Sequence, residues 1–171
     1  MAATANTGTT SSAITIGGNP GDKVDTEEWT GAGAPIGAWS TTTDMNTARY
    51  NRGGAGITSA ALAFGGRPPS SAATESWNGS SWTEVNDLNT ARHSMAPSGT
   101  YTSALSIGGE NGGYTGVVEE WNGSAWTETT DLNTTRGESG GAGANAEAAL
   151  VFAGKSPAAA TGFANTESWN G

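Results

Sequence analysis

The residues of this chain that could do acid–base chemistry recur at one fixed place. Four glutamates each stand two residues before a tryptophan: Glu27, Glu75, Glu119 and Glu167. Hydrolytic catalysis by paired carboxylates needs two acids tuned differently in one cleft, which four equivalent acids do not provide. In a strand, a spacing of two puts both side chains on one face, where a buried carboxylate requires a cation or hydrogen-bond donors. Arginines recur with the same period, so we predict structural ion pairs with Arg49, Arg92 and Arg136.

Other side chains with metal-binding or nucleophilic chemistry are few. Three aspartates recur before Leu or Met and Asn: Asp44, Asp87 and Asp131. A calcium site would need several more oxygen ligands nearby, so the pattern favours a turn in which each carboxylate accepts hydrogen bonds from nearby backbone amides. The chain has no cysteine, and its single histidine, His93, is predicted to be a surface residue. We therefore expect no metal centre, no nucleophile–base pair and no cofactor.

The seven tryptophans form two periodic series. The first series is separated by 48, 44 and 48 residues and comprises Trp29, Trp77, Trp121 and Trp169. The second is separated by 43 and 44 residues and comprises Trp39, Trp82 and Trp126. Aromatic rings can serve as platforms for sugars. Recurrence at one position in every unit instead favours packing between neighbouring units, where each ring would bury about 150–250 Å².

These series show that the chain consists of repeats of about 44 residues. Glycine pairs recur at Gly17-Gly18, Gly65-Gly66 and Gly108-Gly109, with Ala153-Gly154 in the fourth place. Apolar residues alternate before each pair, which is the two-residue period of a strand. Asn-Gly between two tryptophan-bearing runs, as at Asn78-Gly79, predicts a hairpin. Each unit is therefore predicted to hold four short strands.

The composition excludes several functional classes. The net charge is −9, and the seven lysines and arginines are scattered, so the chain has no basic patch for nucleic acid. No apolar run approaches the roughly 18 residues that would span a bilayer. The first residues show no signal-peptide pattern. Because large aliphatic residues are scarce, the tryptophans must supply most of the core.

Four-stranded units of this length predict a β-propeller, and the chain resembles the kelch-repeat family over essentially its whole length. A kelch repeat has an apolar strand, then a glycine pair, two aromatic residues and a motif that ends in arginine. The third unit of this chain shows the same order, in Leu105-Ser106-Ile107-Gly108-Gly109, Trp121, Trp126, Leu132 and Arg136. Tryptophan stands at 77, 121 and 169 where the family usually has tyrosine. This departure and the short hairpin resemble the glycine- and threonine-rich kelch-like arrays of bacteriophage virion proteins.

The resemblance implies one all-β propeller domain over residues 1–171. Its blades would cover approximately residues 1–46, 47–89, 90–133 and 134–171. The last blade is expected to lack its outermost strand, because the sequence stops at Trp169-Asn170-Gly171. An open edge invites pairing with another chain. We expect that copies of the chain complete one another or that it docks onto a larger assembly; a closed four-bladed ring is the alternative.

The units differ most in the connections between their second and third strands, residues 19–25, 67–73, 110–116 and 155–165. These connections contain the candidate partner-binding residues Lys23, Arg67, Glu110, Asn111, Tyr114, Lys155 and Phe163. Rigid scaffolds commonly bind through such loops, and the resemblance implies that this face contacts partners. Solvated connectors without a ligand are the alternative.

We therefore expect a non-enzymatic structural or recognition module that belongs to a virion or its host-contacting apparatus, in the virion or outside the cell. Its partners would be proteins, with neither nucleic acid binding nor membrane insertion. The alternative is a lectin-like propeller that binds glycans on aromatic loop residues. Kelch propellers also include galactose-oxidase-like enzymes, but those need copper ligands from Tyr, Cys and His, and this chain has no cysteine and one histidine.

Overall fold

A computed structural model describes residues 5–9, 12–18, 23–30, 38–157 and 161–171; over residues 5–38 only the backbone is described. The described residues form strands and no helix. The strands are β1 Ala5–Thr9, β2 Ser12–Gly18, β3 Lys23–Thr30, β4 Ala38–Thr41, β5 Gly53–Ile57, β6 Ala60–Phe64, β7 Thr74–Trp77, β8 Trp82–Val85, β9 Ala96–Gly99, β10 Ala104–Glu110, β11 Tyr114–Trp121, β12 Trp126–Glu128, β13 Gly140–Asn145, β14 Ala148–Phe152 and β15 Thr166–Trp169.

The strands pair into four antiparallel sheets in chain order. The first three sheets have four strands each, β1–β4, β5–β8 and β9–β12, and the fourth has the three strands β13–β15. Within each sheet every strand pairs with its neighbour in sequence, so each sheet is a simple up-and-down meander. The prediction of an all-β fold is confirmed, and the repeat of the sequence corresponds to one sheet.

The sheets stand in a row and touch through their first strands. β1 contacts β5, β5 contacts β9, and β9 contacts β13. Within the described part of the chain, no contact of similar extent joins β13 back to β1. The described strands therefore form a row of four sheets and not a closed ring.

The two faces of a second strand pack against different neighbours, because successive side chains point to opposite sides of a strand. In β6, Leu62 and Phe64 pack with residues of the third sheet, whereas Ala61 and Ala63 pack on the opposite side with Trp77. We call the side of Leu62 and Phe64, which is turned toward the next sheet, the forward face, and the opposite side the rear face. The alternation of large and small residues thus sets which way each sheet faces.

The glycine pair that follows this strand lets the chain leave it at a sharp angle. Gly65 and Gly66 have φ of 64° and 114°, a left-handed region that side chains rarely adopt. A Cβ on Gly65 would lie 2.6 Å from the Arg92 carbonyl oxygen. In the fourth sheet Ala153 takes the first of these places with φ of 57°, and Gly154 keeps the second with φ of 102°.

The Asn-Gly hairpins have four-residue loops closed by the asparagine side chain. Asn78 Oδ1 accepts hydrogen bonds from the backbone N–H groups of Ser80 and Ser81, and Gly79 has φ of 94°. Asn122 makes the same two bonds in the third sheet. These loops place Trp77 opposite Trp82 and Trp121 opposite Trp126 in the strand register.

Tryptophan from one sheet fills the space beside the forward face of the preceding sheet. The Trp126 ring lies 4.8 Å from the Phe64 ring between centroids, and its Nε1 donates to Thr74 Oγ1 at 3.1 Å. Leu88, in the connection between the two sheets, belongs to the same buried cluster. The core of this protein is therefore a series of inter-sheet layers.

Replacing Trp126 with alanine should lower the free energy of unfolding by about 3–5 kcal/mol, because the change leaves a large cavity between two sheets. Tyr101→Ala is the control, since the Tyr101 ring is exposed and its removal opens no cavity. Urea unfolding followed by circular dichroism measures both. A loss below about 1 kcal/mol for Trp126→Ala would show that the ring is not a core element.

Candidate functional site

The recurring glutamate of the second sheet is fully surrounded by donors. Glu75 Oε2 accepts a hydrogen bond from the backbone N–H of Asn46 at 2.7 Å, and Oε1 accepts one from Thr47 N–H at 3.4 Å. Arg49 Nη1 lies 2.8 Å from Glu75 Oε1, and both side chains are buried. We call this arrangement of one carboxylate, two consecutive amides and one guanidinium the Glu–Arg clamp.

The same clamp recurs in the third and fourth sheets. Glu119 accepts from the backbone N–H groups of Asn89 and Thr90 and forms an ion pair with Arg92. In the fourth sheet the corresponding residues are Glu167, Asn133, Thr134 and Arg136, with 2.5 Å between Arg136 Nη2 and Glu167 Oε1. Glu27 is the expected member in the first sheet, but its side chain lies outside the described residues.

Each clamp arginine also binds the backbone of the sheet that it enters. Arg49 Nη2 donates to Ala63 O, and Arg92 donates to Ser106 O and Gly108 O. Arg136 donates to Asn165 O at 2.8 Å. The guanidinium therefore ties the connection before a sheet to the second and third strands of that sheet.

The electrostatics of the clamps agree with a structural role. Burial lowers the pKa of the Arg49 guanidinium, although the charge of Glu75 opposes this effect. Partial burial raises the pKa of Glu167, but hydrogen bonds from Asn133 and the charge of Arg136 outweigh it, so the pKa is lowered overall. An acid held ionised by fixed donors is a poor proton donor near neutral pH.

The tryptophans of the second and third sheets are buried and therefore do not form exposed platforms. Trp77 and Trp82 lie 5.4 Å apart between ring centroids, as do Trp121 and Trp126. The first ring of each pair also donates Nε1–H to a backbone carbonyl, Thr58 O in the second sheet and Tyr101 O in the third. Trp39 is 49% exposed, and the Trp29 side chain lies outside the described residues.

Two sequence predictions about single residues need correction. Asp87 does not close a local turn: its Oδ1 accepts from the backbone N–H of Thr74 at 3.0 Å, which ties the end of the sheet to the start of its third strand. His93 is buried instead of lying on the surface, and its backbone pairs with that of Glu110 at the end of β10. Burial and the nearby charge of Arg67 lower the pKa of His93.

The candidate partner-binding residues are distributed over all four sheets, at or beside the connection between the second and third strands of each sheet. Backbone pairs join the two kinds of connection there: Tyr50 with Arg67, His93 with Glu110, and Gly137 with Lys155. Lys23 and Tyr114 begin strands and Glu110 ends one, so these three are strand ends instead of loop residues. Asn111 is exposed in the turn between β10 and β11.

Several of these residues are engaged by close neighbours. The Arg67 guanidinium lies 5.6 Å from the centre of the Tyr50 ring, and Lys155 Nζ lies 2.8 Å from Glu138 Oε2. Phe163 packs against the Arg136 guanidinium at 4.7 Å. The side chain of Lys23 lies outside the described residues. The arrangement is an irregular rim of charged and aromatic groups above the clamps.

Sequence reasoning missed a second buried arginine beside the first clamp. Arg52 is 5% exposed; its Nη1 donates to Arg49 O, while Nε and Nη2 have no partner among the described residues. Burial, with the neighbouring Arg49 charge, lowers the pKa of Arg52 to about 10. The equivalent position, three residues after the clamp arginine, is the buried Met95 in the next unit. Only that comparison between units could have marked Arg52 as unusual.

The forward face of the fourth sheet is exposed. Leu150 and Phe152 occupy the places of Leu62 and Phe64, yet they are 44% and 42% exposed whereas the earlier pair is fully buried. In the second sheet these positions are covered by the third sheet. The forward face of the fourth sheet therefore exposes apolar side chains at places that the second sheet buries.

A cleft of about 160 Å³ opens between the third and fourth sheets. On one side it is lined by Ile107, Val118 and Leu132, and on the other by Val151 and Trp169. Between the second and third sheets, the equivalent space holds the ring of Trp126. The cleft thus corresponds to the place that the Trp126 ring fills between the second and third sheets.

A comparison with protein-family models and with curated proteins finds no match to this chain. Within the described ranges, no group of three or more His, Cys, Asp or Glu side chains is arranged to hold a metal ion. The search for helices that could span a membrane found none among the described residues.

Glu119→Gln should lower the free energy of unfolding by about 3–5 kcal/mol, because it leaves the buried Arg92 charge without its counter-ion. Glu138→Gln is the matched control, since the Glu138–Lys155 pair is solvent-exposed and its loss should change stability little. Equilibrium urea unfolding at pH 7 compares the two variants. Equal effects would contradict the structural importance of the clamp.

Arg52→Met should raise stability by about 1–3 kcal/mol, because it replaces a buried, incompletely bonded cation by the residue that the next unit uses. The melting temperature in differential scanning calorimetry measures this change. Arg49→Met is the contrasting variant and should lower the free energy of unfolding, since it leaves the buried Glu75 carboxylate without its counter-ion. A destabilised Arg52→Met protein would contradict the prediction that the buried Arg52 cation lowers stability.

Proposed function

We propose that this chain is a non-enzymatic structural and recognition module, built as an arc of kelch-like propeller blades that assembles with further copies of itself. In this proposal each sheet is one blade, and the protein belongs to a bacteriophage virion or its host-contacting apparatus. The observation that carries the proposal is the exposed forward face of the fourth sheet. There, residues that are fully buried at equivalent places are open to solvent.

The occupant that fits this face is the first sheet of a second copy. The forward face of the second sheet is covered by the tryptophan-bearing third sheet, in which Trp126 packs against Phe64. The first sheet carries Trp39 at the place of Trp126, and Trp39 is 49% exposed. Joining the end of one row to the start of another would continue an interface that the chain already uses. Two such rows would together supply eight blades.

The hydrogen bonds and ion pairs of the recurring glutamates support a non-enzymatic role. Glu75, Glu119 and Glu167 are each saturated by two amides and an arginine. The units differ most in the irregular rim above the clamps, which contains Arg67, Tyr114 and Lys155. We propose this rim as the recognition face. A lectin function could not use the tryptophans of the second and third sheets, because their rings are buried.

Phe152→Ser should reduce self-association, because it removes the large apolar group from the exposed forward face. Light scattering coupled to size-exclusion chromatography, over a range of micromolar concentrations, measures the mass of each variant. Ile57→Ser is the control, since Ile57 is 52% exposed but lies at the end of β5, away from the forward face. A wild-type protein that stays at 17.0 kDa throughout would contradict the assembly.

The biological context needs its own measurement. Mass spectrometry of purified phage particles from the source should find peptides of this chain in stoichiometric amount. A glycan array tests the lectin alternative, and specific glycan binding that is lost on Tyr114→Ala would favour that alternative over a purely protein-binding module.

A further inference from the structure

A polar groove of about 490 Å³ lies between the second and third sheets. One wall is formed by Ser76, Glu84 and Asn86, from β7, β8 and the residue that follows β8. The opposite wall is formed by Tyr101 and Ser124, in the two hairpins of the third sheet. Both sheets have all four strands, so no missing strand creates this groove. Its size is within the range of about 300–1,000 Å³ that is usual for small-ligand sites.

The aromatic ring of Tyr101 is not required by the repeat. The backbone oxygen of Tyr101 accepts a hydrogen bond from Trp121 Nε1 at 3.0 Å. Thr58 in the second sheet and Ala146 in the fourth use their backbone oxygens in the same way. The repeat therefore needs only a carbonyl at this place, and a large side chain there is a departure from it. Tyr101 is 36% exposed and lines the groove.

The wall opposite Tyr101 carries hydrogen-bond acceptors. The Glu84 side chain is exposed and belongs to none of the ion pairs among the described residues. Asn86 Nδ2 donates to Ser124 O at 2.7 Å, whereas no hydrogen bond found among the described residues uses Asn86 Oδ1. Threonine stands at the place of Asn86 in two other units, at Thr43 and Thr130. A carboxylate and an amide oxygen therefore remain as acceptors on this wall.

The two walls are held together by contacts that do not involve a ligand. The hydrogen bond from Asn86 to Ser124 joins them directly. The Trp126 ring of the third sheet packs on the Phe64 ring of the second, with 4.8 Å between centroids. The hairpin that carries Ser124 is closed by the side chain of Asn122. The groove is thus preformed, which lowers the entropic cost of binding.

The groups on the two walls match the chemistry of a sugar ring. A pyranose has a face of C–H groups that can pack on the Tyr101 ring, and its hydroxyl groups donate hydrogen bonds. Glu84 and Asn86 supply acceptors for those hydroxyls. The Ser76 and Ser124 hydroxyls already donate within the protein, so they too can accept. The groove therefore suits a ligand that is rich in hydroxyl donors and has one apolar face.

The charge of the groove favours a neutral ligand. No lysine, arginine or histidine lines the groove, and the whole chain carries a net charge of −9. A phosphate, a sulfate or an acidic sugar would meet the Glu84 carboxylate without a counter-ion. Glu84 is also the single charged acceptor among the lining residues, and the others are uncharged. Several uncharged acceptors suit hydroxyl groups better than they suit one cationic side chain.

We propose that this groove is a binding site for a neutral saccharide of one or two pyranose rings. The C–H face of one ring packs on Tyr101, and its hydroxyl groups donate to Glu84 and Asn86. The groove contains none of the rim residues and lies away from the forward face of the fourth sheet. The site therefore goes beyond the assembly proposed above and does not depend on it.

Chemical-shift titration of the full chain, labelled with ¹⁵N, tests the site directly. The probes are lactose, cellobiose, maltose and N,N′-diacetylchitobiose, each added to about 10 mM because one stacked ring is expected to give a dissociation constant of about 1 mM. At least one sugar should shift the indole N–H resonance of Trp121 saturably, since Trp121 lines the groove. Trp77 makes the same hydrogen bond in the second sheet and should not shift. No saturable Trp121 shift from any of the four sugars would overturn the proposal.

Variants of the protein locate the sugar. Tyr101→Thr introduces the residue that the second sheet uses and should weaken binding at least about tenfold, as for loss of a central aromatic contact. Thermal unfolding followed by circular dichroism should be unchanged, because the backbone carbonyl is kept. Tyr114→Ala, on the rim, is the matched control and should bind like wild type. Loss of binding in Tyr114→Ala but not in Tyr101→Thr would place the sugar on the rim and refute this site.

Two further measurements separate this proposal from its alternatives. Nα-acetylarginine amide, a cationic probe, should leave the Trp121 resonance unchanged. A saturable shift from this probe but from no sugar would assign the groove to a cationic peptide and overturn the proposal. Phe152→Ser should bind the sugar like wild type even if it no longer self-associates, so the saccharide site and the assembly can fail separately.

Discussion

The ion pair between a strand glutamate and the arginine of the preceding connection ties the second, third and fourth sheets to the connections before them. The clamp joins a segment that has just left one sheet to the middle strands of the next, as Arg49 does with Glu75 and Ala63. A buried pair is stabilising only when its remaining donors and acceptors are satisfied. The two amides of Asn46 and Thr47 provide this, and the same chemistry recurs in each described clamp.

Because the clamp fixes the connection, it also fixes the distance between neighbouring sheets. Large rings fill that spacing, as where Trp126 packs on Phe64. Within the second sheet Gly53 leaves room for the Phe64 ring, since a Cβ there would approach this ring to 2.2 Å. A chain with few aliphatic residues can build a core in this way, since each tryptophan buries a large area. The arrangement also means that any sheet without a successor shows an apolar face.

A row of repeats in which each sheet contacts only its neighbours has ends that differ from its middle. In the fourth sheet of the described chain, Phe152 is exposed at the place where the second sheet buries Phe64. The rim above the clamps does not repeat: its residues differ from unit to unit, whereas the contacts of the clamps recur.

The sequence by itself determined the features that repeat: the strand content, the hairpins at Asn78 and Asn122, and the partnership of Glu75 and Glu119 with arginine. A period can reveal these because a contact used several times leaves the same residues at the same spacing. Tertiary structure decided what occurs once. The burial of His93, the reach of Asp87 to Thr74 and the extra charge of Arg52 depend on which backbone lies nearby, which spacing does not encode. Whether an apolar residue is covered is likewise a property of its neighbours, so Phe64 and Phe152 have equivalent places in the repeat and opposite exposure.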